Sequence, residues 1–487
     1  MRRFALAAAA AVAGCTIVGP GYRQPAVSTP AQYAGSDSPA DLTDTGLAGW
    51  WNGFGDSQLD ELVNRALAQN LDVQSAAARI REARARETVA GAASQPQVDA
   101  KSSVTRQRIS ENAIPAPPGS GAGNGGSGGN FGFPGAEFTT FRVGLDASWE
   151  IDLFGRTKRS VEAARARSGE ALWNRRDVQV SIAAEVAKDY LALRTLQERI
   201  AVAERELARQ QRFERLVAAQ VRGGLVTGQA LEQQKSDRSS AAASLPGLRA
   251  QAEAQIHALG VLTGGTPEAL IAELSRPAAL PPAPPAIPAG LPSDLLRRRP
   301  DIRAAERELA ASTADIGVAI ADLYPRFSLT AAPALVSTAL GSLLEWGSRS
   351  FTAGAAVDWP LLNGGRARGN IAIANARQEQ ALVAYRKSVL IALQDVEDAL
   401  SRTDGDRRQL ASLDDALRTA ARAEDIARRR YHGGLVTYSD VLLAQARRHN
   451  LEDQVTEARG ALARDSVALF KALGGGWPEL GQSGAQP

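Results

Sequence analysis

Phe141 to Arg156 reads FRVGLDASWEIDLFGR, and Phe351 to Arg366 reads FTAGAAVDWPLLNGGR. In the first stretch the odd positions 141–151 are Phe, Val, Leu, Ala, Trp and Ile, and the even positions 142–152 are Arg, Gly, Asp, Ser, Glu and Asp. Side chains alternate across a strand, so this strict period of two predicts a β-strand with one apolar and one polar face. About eleven residues is also the reach of a tilted membrane-spanning strand, and Trp149 and Trp359 near the strand ends suit an interfacial aromatic girdle. The copy at 351–361 keeps the apolar odd face with more Ala, and two weaker strands are expected at about 97–107 and 326–336, each after a proline. A half-buried sheet of a soluble protein shows the same alternation, so the strands alone leave both readings open.

The two stretches match at Phe141/Phe351, Gly144/Gly354, Trp149/Trp359, Gly155/Gly365 and Arg156/Arg366, an offset of 210. The same offset lays Gly223-Gly224-Leu225-Val226-Thr227 on Gly433-Gly434-Leu435-Val436-Thr437. Leu262-Thr263-Gly264-Gly265 pairs with Leu473-Gly474-Gly475-Gly476 at 211, and Asp72-Val73 with Asp301-Ile302 at 229. Such self-similarity marks a tandem duplication. The larger upstream offset puts an insertion in the first copy between Pro96 and Phe141, where the segment GSGAGNGGSGGN (119–130) has the composition of an exposed loop.

Most of the remainder reads as helix. From Arg156 to Gly223 the chain has no proline and one interior glycine, and Ile182, Val186, Tyr190, Leu193, Leu196, Ile200 and Leu207 recur about every 3.6 residues. Its counterpart is expected at about 368–432. Each would be about 65 residues and about 100 Å long, against about 30 Å for a compact small domain. Each ends at Gly-Gly and turns into a shorter partner, at about 229–260 and 438–472; further helices are expected at 56–92 and 294–322. Seven prolines in 277–292 mark a linker between the copies. The expected organisation is a leader at 1–14, an extended segment at 15–50, a first repeat at 51–276, the linker, a second repeat at 293–476 and a tail at 477–487.

With 56 Lys+Arg against 53 Asp+Glu, a net charge of +3, the chain lacks the basic excess that nucleic-acid binding requires. Its one Cys excludes an internal disulfide and a Cys-based zinc site, and His257, His432 and His449 have no ligand spacing. No phosphate loop, dinucleotide fingerprint or nucleophile elbow is present, so no cofactor, metal or enzymatic activity is expected. Arg297-Arg298-Arg299 reads as a solvated charge run. No run of about 18 uncharged apolar residues follows the leader. Four strands cannot close a barrel, and a membrane sheet cannot leave open edges, so membrane strands here require oligomerisation; three chains would supply twelve.

The N-terminus has a basic start, an apolar run from Ala5 to Gly14 and then Cys15. Val12-Ala13-Gly14-Cys15 resembles the bacterial lipobox, which implies cleavage before Cys15 and acylation, palmitate included, of that residue; Thr16, where an Asp would imply inner-membrane retention, implies outer-membrane sorting. Val18-Gly19-Pro20-Gly21-Tyr22-Arg23-Gln24-Pro25, Phe54-Gly55-Asp56 with Leu59, and LPSDLLRRRPDIRAAERELAASTADIGVAIADLYPRFSL at 291–329 resemble the TolC-like outer-membrane efflux proteins, specifically the NodT-related lipoprotein branch. The resemblance covers the chain from Cys15 to about Pro478. It implies a mainly α fold with membrane β-structure: a homotrimer whose twelve-position α-helical barrel continues into a twelve-stranded β-barrel, four strands per chain. It also implies a passive exit duct in the outer-membrane lipid, working with a periplasmic adaptor and an inner-membrane RND-type transporter in small-molecule and antibiotic efflux. A type I secretion duct shares the architecture, and a helical scaffold lipoprotein without a pore is the reading from a different class.

For a conduit the informative residues are at the tip and the gate. The glycines of both GGLVT turns suit a helix C-terminus, and Leu225, Val226, Leu435 and Val436, with Thr227 and Thr437, suit adaptor docking. In the resemblance, Asp440 matches an acidic ring and Tyr431 a closing link at the periplasmic gate, with Tyr438 beside them. Leu443 departs from the pattern where many members carry a second Asp, so a simpler, partly hydrophobic gate is expected. The plain alternative for Asp440 is a first-turn carboxylate favoured by the helix dipole.

Overall fold

The computed structural model describes residues 17–35, 47–110, 136–285 and 287–477. Cys15, the leader and the segment 119–130 lie outside the described residues. The elements run α1 (Ser57–Gln69), α2 (Leu71–Ala92), β1 (Gln97–Arg108), β2 (Glu137–Ile151), α3 (Arg156–Arg222), α4 (Gly228–Leu262), α5 (Pro300–Ala321), β3 (Arg326–Ser337), β4 (Arg349–Asp358), α6 (Arg366–His432) and α7 (Tyr438–Ala472), with single helical turns between some of them. No helix among the described residues is long and apolar enough to cross a membrane.

Several boundaries differ from the sequence expectation, each for a local reason. The helix expected over 56–92 breaks at Asn70, which is extended (φ −60°, ψ 135°) and donates its backbone N–H to Ala66 O, closing α1. Its side-chain Oδ1 then accepts from the N–H groups of Asp72 (2.8 Å) and Val73 (3.2 Å), capping α2. The helix expected over 294–322 breaks at Arg299, extended (φ −75°, ψ 120°) because the ring of Pro300 excludes the helical region for the residue before it. Strand β4 covers 349–358, not 351–361, so Trp359 sits just past its end; β2 begins at 137.

Helices α3 and α6 are each 67 residues long, and α4 and α7 each 35, with matching ends 210 positions apart. Gly155 and Gly365 (φ 80° and 86°), Gly224 and Gly434 (71° and 72°), and Gly264 and Gly474 (80° and 80°) occupy the left-handed region at equivalent turns. The pairing of Leu262-Thr263-Gly264-Gly265 at offset 211 is therefore corrected to 210: the glycine that must turn the chain is Gly264 in one copy and Gly474 in the other.

The chain divides into two compact units. The first comprises residues 1–23, 83–167 and 310–380 and contains the sheet. The second comprises 24–82, 168–309 and 381–487. Its core gathers Leu59, Leu62, Val63 and Ala66 of α1, Tyr190, Leu191 and Leu193 of α3, Leu259 of α4, and Val467 and Leu469 of α7. Trp50 stacks on Phe470 with ring centroids 5.2 Å apart. The expected solvated run 297–299 is corrected at Arg299. Its guanidinium is held by Asp301 (3.0 and 2.7 Å), Asp395 (2.9 Å) and the carbonyl of Ala472 (3.2 Å), because Pro300 turns it into the helix packing.

Candidate channel surfaces

The sheet runs β1-β2-β3-β4, antiparallel throughout. The register pairs Val98 with Ala147, Ala100 with Leu145 and Val104 with Phe141, then Val143 with Leu335, Trp149 with Leu329 and Ile151 with Phe327. On β3–β4 it pairs Phe327 with Val357, Leu329 with Ala355 and Pro333 with Phe351. Directly paired residues share a face, so these pairs make one apolar surface across four strands. Much of it is exposed: Val104 at 67%, Phe351 at 82% and Val357 at 60%. The opposite face carries Lys101–Asp146 (2.9 Å) and Arg142–Asp146 (3.3 Å) ion pairs, with Ser148 opposite Thr330. An exposed apolar face backed by a polar one is the sidedness of a membrane barrel wall with a hydrated interior. Among the described residues, strands β1 and β4 each have one neighbouring strand, which leaves two open edges.

Two details fix this wall. A Cβ at Gly144 would lie 2.5 Å from Ala334 Cβ and 2.6 Å from Pro333 O, so β2 and β3 approach this closely only with glycine there. The indoles of Trp149 and Trp359 donate to Ser94 O (3.0 Å) and Leu323 O (3.1 Å), equivalent positions just before β1 and β3. Beside the end of β2 the first described residues are clamped. Val18 N–H donates to Phe154 O (3.2 Å), and Arg159 donates to Val18 O (3.1 Å) and Gly19 O (3.0 Å).

In the second unit both GGLVT segments form the same helix stop. Gly224 N–H donates to Val221 O and Leu225 N–H to Gln220 O; Gly434 N–H donates to Tyr431 O and Leu435 N–H to Arg430 O, all within 2.9–3.0 Å. These paired bonds satisfy the last carbonyls of α3 and α6. Leu225 (77% exposed) and Leu435 (72%) project from the turns, Val226 is exposed and Val436 half-buried. Thr227 and Thr437 take the N-cap positions of α4 and α7, and only Thr437 has a side-chain partner there. Asp440 Oδ2 accepts from Thr437 N–H (2.9 Å) and Thr437 Oγ1 (2.7 Å), completing a capping box that Ala230 cannot make in the first copy. Tyr438 stacks on Phe213 (4.1 Å between centroids) and meets Tyr431 edge-on at 5.0 Å, whereas Leu443 faces outward.

Sequence reading missed the ion pairs that lock these helices. Each hairpin repeats two of them: Glu204–Arg249 (2.7 Å) with Asp414–Arg459 (3.1 Å), and Glu214–Arg238 (3.1 Å) with Glu424–Arg448 (3.0 Å). The 210-residue offset held that signal, but it surfaces only when charged residues are compared pairwise. Among the described residues no group of three or more His, Cys, Asp or Glu side chains is arranged to hold a metal ion.

The family model described as Outer membrane efflux protein matches residues 62–265 and 291–475. The chain belongs to the outer membrane efflux protein family. This family member is 33% identical over 483 residues to the pyoverdine export outer membrane protein OpmQ of Pseudomonas aeruginosa, covering 96% of each chain. It is 30% identical over 495 residues to nodulation protein T of Rhizobium leguminosarum bv. viciae, covering 98% of this chain and 94% of that one. The solved outer-membrane channel OprN matches with a TM-score of 0.84 at 33% identity, over 94% of this chain and 99% of its own. This efflux protein is therefore an outer-membrane channel of an efflux system, in a family of channels and not enzymes. Its fold class is that of the TolC-like trimers, mainly helical with membrane β-structure.

Proposed function

We propose that this efflux protein is the passive exit duct of a tripartite pump for small molecules, anchored by lipid at Cys15 and gated at its helix turns. The observation that carries the reading is the sheet: one exposed apolar face, one charged face and two unpaired edges. A homotrimer closes those edges into a twelve-stranded barrel, with Trp149 and Trp359 as its aromatic girdle. The clamp on Val18 and Gly19 supports the anchor, since it ties the chain shortly after Cys15 to the end of β2. A small-molecule cargo is supported by OpmQ, named for pyoverdine export.

The turns Gly223–Thr227 and Gly433–Thr437 would be periplasmic and dock an adaptor that links the duct to an inner-membrane RND-type transporter. Exposed Leu225 and Leu435 on identical turns offer six equivalent apolar contacts per trimer. Asp440, Tyr431, Tyr438 and Leu443 would form the gate. Because Ala230 replaces Asp440 in the first copy, the carboxylate ring has three members. In a planar bilayer the purified trimer should give single-channel steps, and a photo-crosslinker at Leu435 should capture the adaptor. A silent bilayer from a protein that is monomeric in detergent would overturn the reading.

A further inference from the structure

The apolar face of the sheet holds an arginine whose counter-charge the second copy lacks. Arg349 opens β4 and pairs with Leu335, which pairs with Val143, so all three stand on the apolar face. The repeat-equivalent pair in the first copy is Arg106 with Thr139: the 229 offset carries Arg106 onto Leu335, and the 210 offset carries Thr139 onto Arg349. Each copy therefore keeps one arginine at this register position, on opposite strands of the pair. Arg106 is answered within the chain by Glu137 (2.9 Å), which Arg108 also approaches (3.8 Å). The residue equivalent to Glu137 is Gly347, and Arg349 makes no ion pair among the described residues; its Nε donates to Trp346 O (2.9 Å). Beside Arg349 lies a groove of about 600 Å³, lined on the apolar face by Val143, Leu145, Pro333, Leu335 and Phe351. Arg349 stands at the end of the groove nearer the β3–β4 hairpin, away from the end of the sheet that leads into α3 and α6.

We propose that this groove binds a phosphate-bearing acyl lipid of the outer leaflet, its chain against Val143, Leu335 and Phe351 and its phosphate on the Arg349 guanidinium. The site rests on the membrane-barrel reading above, which turns the apolar face to lipid and the hairpin end outward. The occupant follows from charge and sidedness. An arginine on a lipid-facing strand is costly at the bilayer midplane and tolerated near the interface, where lipid headgroups lie. A guanidinium matches a phosphate through two parallel hydrogen bonds, and an acyl chain matches the apolar groove beside it. With Gly347 in the place of Glu137, the anion has to come from outside the chain. A neighbouring copy does not supply it: closing the barrel sets β1 of the next chain beside β4, and the charged lipid-facing residues at that end are Arg106 and Arg108, which already share Glu137.

The test is native mass spectrometry of the purified, delipidated trimer incubated with diphosphoryl lipid A or with monogalactosyl diacylglycerol, which carries no phosphate. The wild-type trimer should retain up to three lipid A molecules under activation that strips the galactolipid. Arg349→Gln should lower lipid A retention about tenfold, the scale of one charge-assisted pair of hydrogen bonds, and Arg349→Lys should restore part of it. Gly347→Glu leaves Arg349 in place and supplies the counter-charge of the first copy; a Cβ there meets nothing within 4 Å, so the trimer should form and release lipid A as Arg349→Gln does. Trimers of either variant that hold lipid A as the wild type does, or a wild type that holds both lipids equally, would overturn the site and leave the duct standing. A wild-type protein that is monomeric and silent in a bilayer would overturn both.

Discussion

Asp56 and Tyr190 are joined by a 2.7 Å hydrogen bond from the tyrosine hydroxyl to Asp56 Oδ2, while Oδ1 of the same carboxylate accepts from Gln58 N–H (2.9 Å) and Leu59 N–H (3.1 Å) at the start of α1. One side chain thus begins a helix and satisfies the hydroxyl of a fully buried residue of α3. Burial and this hydrogen bond push the Tyr190 phenol above its usual range. The sequence of Phe54-Gly55-Asp56 is explained by the same geometry: Phe54 is buried, Gly55 takes φ 65°, and Asp56 caps. Replacing Asp56 by Ala removes a cap, worth about 1 kcal/mol, and orphans a buried hydroxyl, worth about 1–3 kcal/mol. Asp56→Ala should therefore lower stability by about 2–4 kcal/mol in denaturant titrations followed by circular dichroism, and Tyr190→Phe should cost less because the cap survives.

Asp189 on α3 gives a pH prediction. Burial, reinforced by neighbouring Glu185, raises its carboxyl to about 6 from an unfolded value of 3.8. The folded state therefore holds a proton that the unfolded state has released between those values. Its contribution is fully present below the unfolded value and is lost as pH rises through about 6. The thermal midpoint of the wild-type protein should fall between pH 4 and pH 7 more steeply than that of Asp189→Asn. Parallel profiles would show that this carboxyl does not titrate there.

The two faces of the sheet should respond oppositely to charge. An arginine on a lipid-facing strand position costs about 2–4 kcal/mol at the bilayer midplane, and on a hydrated interior face costs little. Leu145→Arg should impair recovery of heat-resistant trimers from outer membranes, and Ser103→Arg on the polar face should assemble normally. Equal effects of the two would contradict the sidedness of the sheet.

The gate assignment of Asp440 must be separated from its role as a cap. Asp440→Asn keeps an acceptor for Thr437 but removes the charge, and three carboxylates at a constriction favour cations. Reversal potentials across a salt gradient should shift toward non-selectivity in Asp440→Asn, with α7 helicity unchanged. An unchanged reversal potential would leave Asp440 as a capping residue alone.

The contact between α3 and α7 gives a packing prediction. Gly460→Ala places a methyl carbon 2.2 Å from Thr195 Oγ1, closer than any contact real side chains adopt, so α3 and α7 must separate. Overpacking of this kind costs about 1–3 kcal/mol, and Thr195→Ala should restore most of it. A stable Gly460→Ala protein without that second substitution would show that the contact relaxes freely.

Local periodicity made most of the fold legible. The alternation at 141–151, the 3.6-residue recurrence of Ile182 to Leu207 and the glycines closing each long helix are properties of the chain within a few residues, and each specified its element almost to the end. The break at Asn70 is hidden because a polar residue inside a helical pattern is ambiguous until its side-chain partners are known, whereas the break at Arg299 is written in the sequence by the proline that follows it. What the sequence determined was the duplication, the strands, the long helices and, through residue resemblance, the family. What only the tertiary structure decided was which residues meet across the fold: Tyr190 on Asp56, Arg199 on Asp453, Trp149 on Ser94, and the cap that Asp440 makes and Ala230 cannot. Long-range pairing depends on how helices and strands pack in three dimensions, and the spacing of residues along one chain does not encode it.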